Sequence, residues 1–201
     1  DAAGQAGALE IMRLAQSCCS EDLLICLISG GGSALLSLPV EGVTLAEMAT
    51  FTNQLLRSGA TINELNTLRK HLEQTKGGLL AHAAQRGAII ALILSDVVGN
   101  PLDIIASGPT VADTSTFSDA WAILERYDLV ASAPAAIVAH LRRGLSGAVP
   151  ETPKQGDPAF ARVHNLIVGS NDLAARAAES AARNAGLNPL ILSTWVQGEA
   201  R

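Results

Sequence analysis

Two patterns of apolar positions alternate along this chain. In LLICLI (residues 23–28), AIIALIL (88–94) and the LIV run within VHNLIVG (163–169), consecutive positions are apolar, the signature of strands buried on both faces of a parallel sheet. A fourth run, NPLILST (188–194), predicts a further strand. Between these runs the apolar positions recur at helical spacing. AGQAGALEIMRLAQS (3–17) is one such stretch, and Thr44 with Glu47 forms a capping box that predicts a helix running to about Arg57. Residues 62–84 read as more helix, interrupted around Lys76-Gly77-Gly78. AWAILERY (120–127), PAAIVAHLRRG (134–144) and DLAARAAESAARNAG (172–186) complete the set. Strands alternating with helices predict an α/β fold: a three-layer α/β/α sandwich around a mostly parallel Rossmann-like sheet.

Composition narrows this picture. The 201 residues suffice for one α/β domain, and 48% are apolar, so a core is assured; aromatic residues are only 3%, leaving Ala, Leu and Ile to fill it. The formal charge of −5 argues against nucleic acid and anionic membranes as partners, since neither attracts a net-acidic surface, while leaving room for local basic spots that bind a small anion. No run reaches the roughly 18 apolar residues needed to span a membrane. Cys18, Cys19 and Cys26 form no C-x-x-C pair and read as small buried side chains in a reducing cytoplasm. The chain begins at Asp1 inside a helical pattern and stops just after a strand pattern, so it is expected to be an internal piece of a longer protein.

In open parallel sheets, ligands bind beyond the carboxyl ends of the strands. Three of the predicted strands end there in small polar residues: Ser29-Gly30-Gly31-Gly32-Ser33, Ser95-Asp96, and Gly169-Ser170-Asn171. The glycine loop suits a nest of backbone N–H groups around an anionic oxygen of phosphate or carboxylate, or alternatively a tight turn with close helix–sheet packing. It matches neither a Walker A loop nor G-x-G-x-x-G, and the nucleophile elbow that would make Ser33 a catalyst is absent. Asn66, Arg69 and Lys70 fall at i, i+3 and i+4, sharing one helix face suited to a carboxylate or phosphate. His71 reads as a partner for nearby backbone, and Lys76 as either a phosphate contact or a helix end. Asp96, after a strand, is the carboxylate placed to hold Mg²⁺ directly or through water. Its long loop also carries Asp103, Ser107, Gly108, Thr110 and Asp113. His82, His140 and His164 lack metal-ligand spacing. The residues alone thus give an anion site without a complete catalytic set.

Taken in order, DAAG, LISGGGSALL, SGATINELNTLRKHLEQTKGGLLA, LILSDVVGNPLDIIASGPT, FSDAWAILERYDL and GSNDLA resemble the glycerate 2-kinase family, whose members often carry the name hydroxypyruvate reductase. The resemblance spans essentially all of residues 1–201 and identifies them with part of that family's N-terminal α/β domain. It implies ATP- and Mg²⁺-dependent phosphorylation of D-glycerate at its 2-hydroxyl, in a cleft against a second domain. Arg69, Lys70 and Asp96 would then be catalytic, with Asp96 on the metal. Ser29 to Ser33, Asn66, Lys76, Ser95, Ser107, Gly108, Thr110, Ser170 and Asn171 would bind substrate or phosphate. The family's catalytic lysine lies in a segment before Asp1, so the isolated piece is expected to be inactive, with exposed apolar faces open to aggregation or homodimer formation. Two positions depart from the family: Asn100 stands where aspartate is expected and Asp128 where glycine is. An NAD(P)H-dependent hydroxypyruvate reductase and a non-catalytic nucleotide- or sugar-acid-binding remnant are the alternatives; the first predicts a dinucleotide fingerprint that these turns do not supply.

Overall fold

The computed structural model describes residues 2–196. Helix α1 (Ala2–Ser17) precedes strand β1 (Leu23–Ile28), and four helices follow: α2 (Gly32–Leu35), α3 (Leu45–Arg57), α4 (Ile62–Leu72) and α5 (Leu79–Ala83). Strand β2 (Ala88–Leu94), helices α6 (Phe117–Arg126) and α7 (Ala135–Leu145), strand β3 (Val163–Gly169) and helix α8 (Asn171–Asn184) complete the order. The strands form an all-parallel sheet in the order β1-β2-β3, pairing Leu23 with Ala88 and Ile89 with Val163, with a register shift at Ile93/Leu94. This open sheet flanked by helices is the expected Rossmann-like α/β arrangement.

Helix starts follow local chemistry. Thr44 caps α3 with Glu47 reaching back to its N–H, and the same box recurs at Thr61/Glu64 for α4 and Thr116/Asp119 for α6. Small residues let α1 and α5 pack closely on one sheet face. Ala8, Met12 and Ala15 meet Leu80, Ala81 and Ala84 over Leu24, Cys26 and Ile89. A larger core joins α3, α4, α6 and α7 through Phe51, Leu55, Leu68, Leu72, Leu124, Ile137 and Leu141. α4 also touches the 105–107 turn, so it carries side chains toward the sheet edge.

Two expectations are corrected. β1 is not buried on both faces: Leu24, Cys26 and Ile28 point inward while Leu23, Ile25 and Leu27 are 51%, 56% and 80% exposed, because no layer covers that side among the described residues. Leu166 and Val168 of β3 are exposed as well. Residues 188–194 form no strand; they find no neighbouring strand to pair with among the described residues, and an unpaired segment has no ladder to hold it. No described helix is long and apolar enough to cross a membrane.

Candidate active site

Parallel pairing brings the ends of β1, β2 and β3 to one edge, and the loops that leave it touch. A Cβ built on Gly30 would lie 2.4 Å from the Asp96 Oδ2 and 3.0 Å from its Cγ, so the Asp96 carboxylate occupies the space a side chain would need. Gly31 takes φ +81°, a left-handed conformation that glycine adopts without a steric cost. A Cβ on Gly32 would press on the Ala106 methyl at 3.1 Å. The triplet therefore serves close approach of protein to protein: Asp96 over Gly30, the 105–108 turn over Gly32. Ser29, Gly30 and Gly31 remain exposed at the mouth, as does Asp96.

The facing turn is strained. Ala106, Ser107 and Gly108 lie consecutively at φ 51°, 60° and 64°, and for two residues bearing a Cβ this costs of order 1 kcal/mol each. Backbone donors hold it in place: Gly77 N–H to Ser107 O at 2.9 Å and Gly78 N–H to Gly108 O at 2.7 Å. From α4, Asn66 Oδ1 accepts the Ser107 hydroxyl at 2.9 Å. The Ser107 and Ser33 hydroxyls meet at 2.7 Å, and Arg69 Nη1 donates to Ser33 Oγ at 3.4 Å. Asn66, Arg69, Ser33 and Ser107 thus form one connected cluster against the glycine loop. Ser33 and Arg69 also line a cavity of about 570 Å³ with Ser37, Thr52, Asn53 and Glu73.

Both candidate lysines point elsewhere. Lys70 is buried, its ammonium 3.1 Å from Asp113 Oδ1. Asp113 also accepts from the Ser115 N–H at 3.0 Å and the Thr152 hydroxyl at 2.9 Å. Burial alone would raise the Asp113 carboxyl, yet the Ser115 N–H, Lys70 and the two hydroxyls together hold it below the usual carboxylate range. Lys76 is buried too, donating to Leu36 O at 2.7 Å and Glu73 Oε2 at 3.0 Å. Burial pushes its pKa down against the pull of Glu73. Neither ammonium is presented to a ligand at the glycine loop; both are held in internal ion pairs.

The remaining candidates are placed as follows. Thr110 is buried and donates to Asn165 Oδ1 at 2.6 Å, tying the loop to β3. Ser95 is buried and contacts Val97 O at 3.3 Å. Ser170 caps α8 by accepting the Leu173 N–H at 3.3 Å, and Asn171 donates to Thr194 O at 3.1 Å. These two sit beside Asn100 and Trp195 around a separate cavity of about 260 Å³. His71 meets Thr67 O at 2.8 Å, the backbone partnership expected of it. Asn100 and Asp128 adopt φ 54° and 53°, so Asp128 does stand in a left-handed cap.

Three features had no forewarning in the sequence. Glu73, next to the basic stretch, proves to be the partner of Lys76. Asp113 and Lys70 pair across 43 positions of chain. The left-handed Ala106 carries no signal at all, since alanine is not a residue that marks positive φ.

A single exposed carboxylate at the loop mouth fits Mg²⁺, which keeps most of its waters and takes one or two protein carboxylates beside substrate phosphate. No group of three acidic, His or Cys side chains able to enclose a metal occurs among the described residues. A carboxylate lying against Gly30 also makes the nest a poor host for bare phosphate, and a bridging cation removes that conflict.

The sequence profile of a family described as "Domain of unknown function (DUF4147)" matches residues 1–142. The chain is 45% identical over 195 residues to glycerate 2-kinase of Pyrococcus horikoshii, covering 97% of this chain and 43% of that protein. It is 48% identical over 183 residues to an Agrobacterium vitis protein bearing a hydroxypyruvate reductase name, covering 90% of this chain and 39% of that one. The crystal structure of glycerate kinase from Thermotoga maritima superposes with a TM-score of 0.82 at 37% identity, covering 94% of this chain and 42% of that one. The chain spans less than half the length of these relatives.

Proposed function

The chain belongs to the DUF4147 family, and we propose that the protein carrying it transfers the γ-phosphoryl group of ATP to the 2-hydroxyl of D-glycerate, giving 2-phosphoglycerate. The observation that carries this reading is the meeting of the Ser29–Ser33 loop, the Asp96 carboxylate and the Ser33–Arg69 contact at one sheet edge. Phosphoryl transfer asks a protein mostly for positioning and for compensation of charge, and these groups supply both. The likeness to glycerate kinases over nearly the whole chain supports the substrate and the chemistry.

In this reading the N–H groups of the exposed Ser29–Gly31 stretch orient anionic oxygens. Arg69, which lines the cavity, compensates charge on the substrate. Mg²⁺ bound with ATP would neutralise phosphate oxygens, and Asp96 is the residue that would hold it. Lys70 and Lys76 act at one remove, fixing the 105–113 loop and the α4–α5 connection. Three free cysteines among the described residues accord with a reducing cytoplasm.

The test uses the intact protein with Mg·ATP and D-glycerate, followed by ³¹P NMR. A 2-phosphoglycerate resonance growing with ADP is expected. Intact ATP with no phosphoester overturns the reading. The hydroxypyruvate reductase name of the Agrobacterium relative keeps a second reading in view, and NADH oxidation by hydroxypyruvate in a parallel cuvette is its signature.

A further inference from the structure

The hydroxyl cluster has a direction that proton counting fixes. Ser107 owns one hydroxyl proton, and it goes to Asn66 Oδ1 at 2.9 Å. The 2.7 Å contact between Ser107 and Ser33 must then be made by the Ser33 proton. Arg69 Nη1 approaches Ser33 Oγ from outside as a further donor, at 3.4 Å. The chain of donation therefore runs Arg69 to Ser33 to Ser107 to Asn66, and it ends on an amide carbonyl. Ser107 and Asn66 are buried, so of the two hydroxyls Ser33, beside Arg69, is the one that faces the 570 Å³ cavity.

A serine whose proton is already committed offers a ligand only a lone pair. We propose that Asn66 is a positioning residue that sets Ser33 as a hydrogen-bond acceptor, so that Ser33 receives an alcohol group of the substrate and does not bind a phosphate oxygen. This rests on the kinase reading and assigns the two kinds of ligand group within it. Anionic oxygens, which need donors, go to the loop N–H groups and Arg69. The alcohol of a small hydroxy acid, which needs an acceptor, goes to Ser33. Because the chain ends on an amide, it accepts no proton from the alcohol. Ser33 orients that hydroxyl and leaves deprotonation to another group.

The strained turn serves the same end. Ser107 at φ 60° is held by the Gly77 N–H on its carbonyl and by Asn66 on its hydroxyl, which together keep its oxygen toward Ser33. Had Asn66 been an apolar residue, the Ser107 proton would turn to Ser33 and release the Ser33 proton toward the cavity, inverting the preference.

Steady-state kinetics of the intact protein test this. Ser33→Ala is expected to raise KM for D-glycerate about five- to ten-fold, the effect of one neutral hydrogen bond, with KM for ATP within two-fold of wild type. Ser33→Thr, which keeps the acceptor, should restore most of the loss. Asn66→Ala should raise the glycerate KM similarly, and the double variant should rise no further, because both act through one hydroxyl. A rise in KM for ATP with glycerate unchanged overturns the inference, and so does a Ser33→Ala protein equal to wild type in both. Ser33 is partly exposed, so that variant remains informative even if Asn66→Ala fails to fold. Calorimetric titration with D-glycerate alone separates this inference from the kinase reading. Glycerate binding that Ser33→Ala weakens, without any phosphoester from wild type, keeps the inference and removes the kinase. An active kinase indifferent to Ser33→Ala does the reverse.

Discussion

At the scale of single residues, most of the site depends on where one atom leaves room for another. Gly30 illustrates this, because its missing Cβ is the space the Asp96 carboxylate fills, at 2.4 Å. Asp96 is exposed and free to swing away, so Gly30→Ala should leave the fold intact within about 1 kcal/mol while displacing the carboxylate. The expected result is a fall in kcat of ten-fold or more with a raised Mg²⁺ requirement. Normal metal titration in that variant would show that Asp96 is not the metal residue. Lys70 makes the opposite case, since its charge is internal. Lys70→Ala leaves the Asp113 carboxylate buried without its cation, and a loss of about 3–5 kcal/mol in urea denaturation is expected. The pH dependence has a definite sign. The Asp113 carboxyl is held below its unfolded value, so its contribution is fully present above about pH 4 and is lost as pH falls through the depressed folded value. Lys70→Ala should flatten that acid limb of the stability curve. A chain as stable as wild type would mean that Asp113 finds sufficient partners in Ser115 and Thr152.

At the scale of elements, helix starts are the best-specified feature, and the reason is that capping is local. Thr61 accepts the Glu64 N–H at 3.3 Å, and the Glu64 carboxylate returns to the Thr61 N–H at 2.8 Å. That backbone hydrogen bond, aided by Tyr127 and Arg126, brings Glu64 down to about 2. Thr61→Ala removes the hydroxyl that caps α4 and donates to Glu64 at 2.9 Å but keeps the backbone N–H, so it should cost about 1 kcal/mol of stability and raise Glu64 only part of the way to its ordinary value, visible by NMR titration of its side-chain carboxyl. An unmoved titration would show that the residue-61 N–H, with Tyr127 and Arg126, holds the carboxylate without the hydroxyl. Locality also explains what the sequence made legible. The longer helices and strands β1, β2 and β3 followed from spacing, though 188–194 did not become a strand, and so did the Thr44/Glu47 box and the convergence of three polar loops at the sheet edge. The destinations of Lys70 and Lys76 did not, because an i, i+3, i+4 pattern states which residues share a face and not what faces them. Asp113 approaches Lys70 from a loop 43 positions away, and no spacing rule reaches that far. Lys76 beside two glycines suggested either a phosphate contact or a helix end; in the structure it pairs with Glu73 while the glycines let the backbone donate to the 107–108 turn.

At the scale of the whole molecule, the unresolved physical demand is the second face of the sheet. LLICLI was readable as a strand buried on both sides, and the composition is right for that, but burial requires a layer and the described residues provide one on the α1/α5 side only. Leu27 is 80% exposed and Ile25 56%, beside Leu166 at 51% and Val168 at 58%. These side chains share a face, since Leu27 pairs with Leu92 and Leu92 with Leu166. A contiguous apolar patch on a parallel sheet is rare in isolated domains and drives association when left bare. The 201-residue segment made alone should therefore self-associate at micromolar concentration. Leu27→Glu together with Leu166→Glu should return it to a monomer in sedimentation velocity. Charges suffice because transferring a carboxylate into a dry interface costs far more than the lost apolar contact gains. The intact protein separates two ways of covering the face. If further chain packs there, the same pair of substitutions lowers its melting temperature and leaves its oligomeric state unchanged. If a second copy packs there, the pair splits a dimer and the monomer keeps its melting temperature. Relatives more than twice as long favour the first outcome, and a drop in thermal stability without dissociation is the result expected.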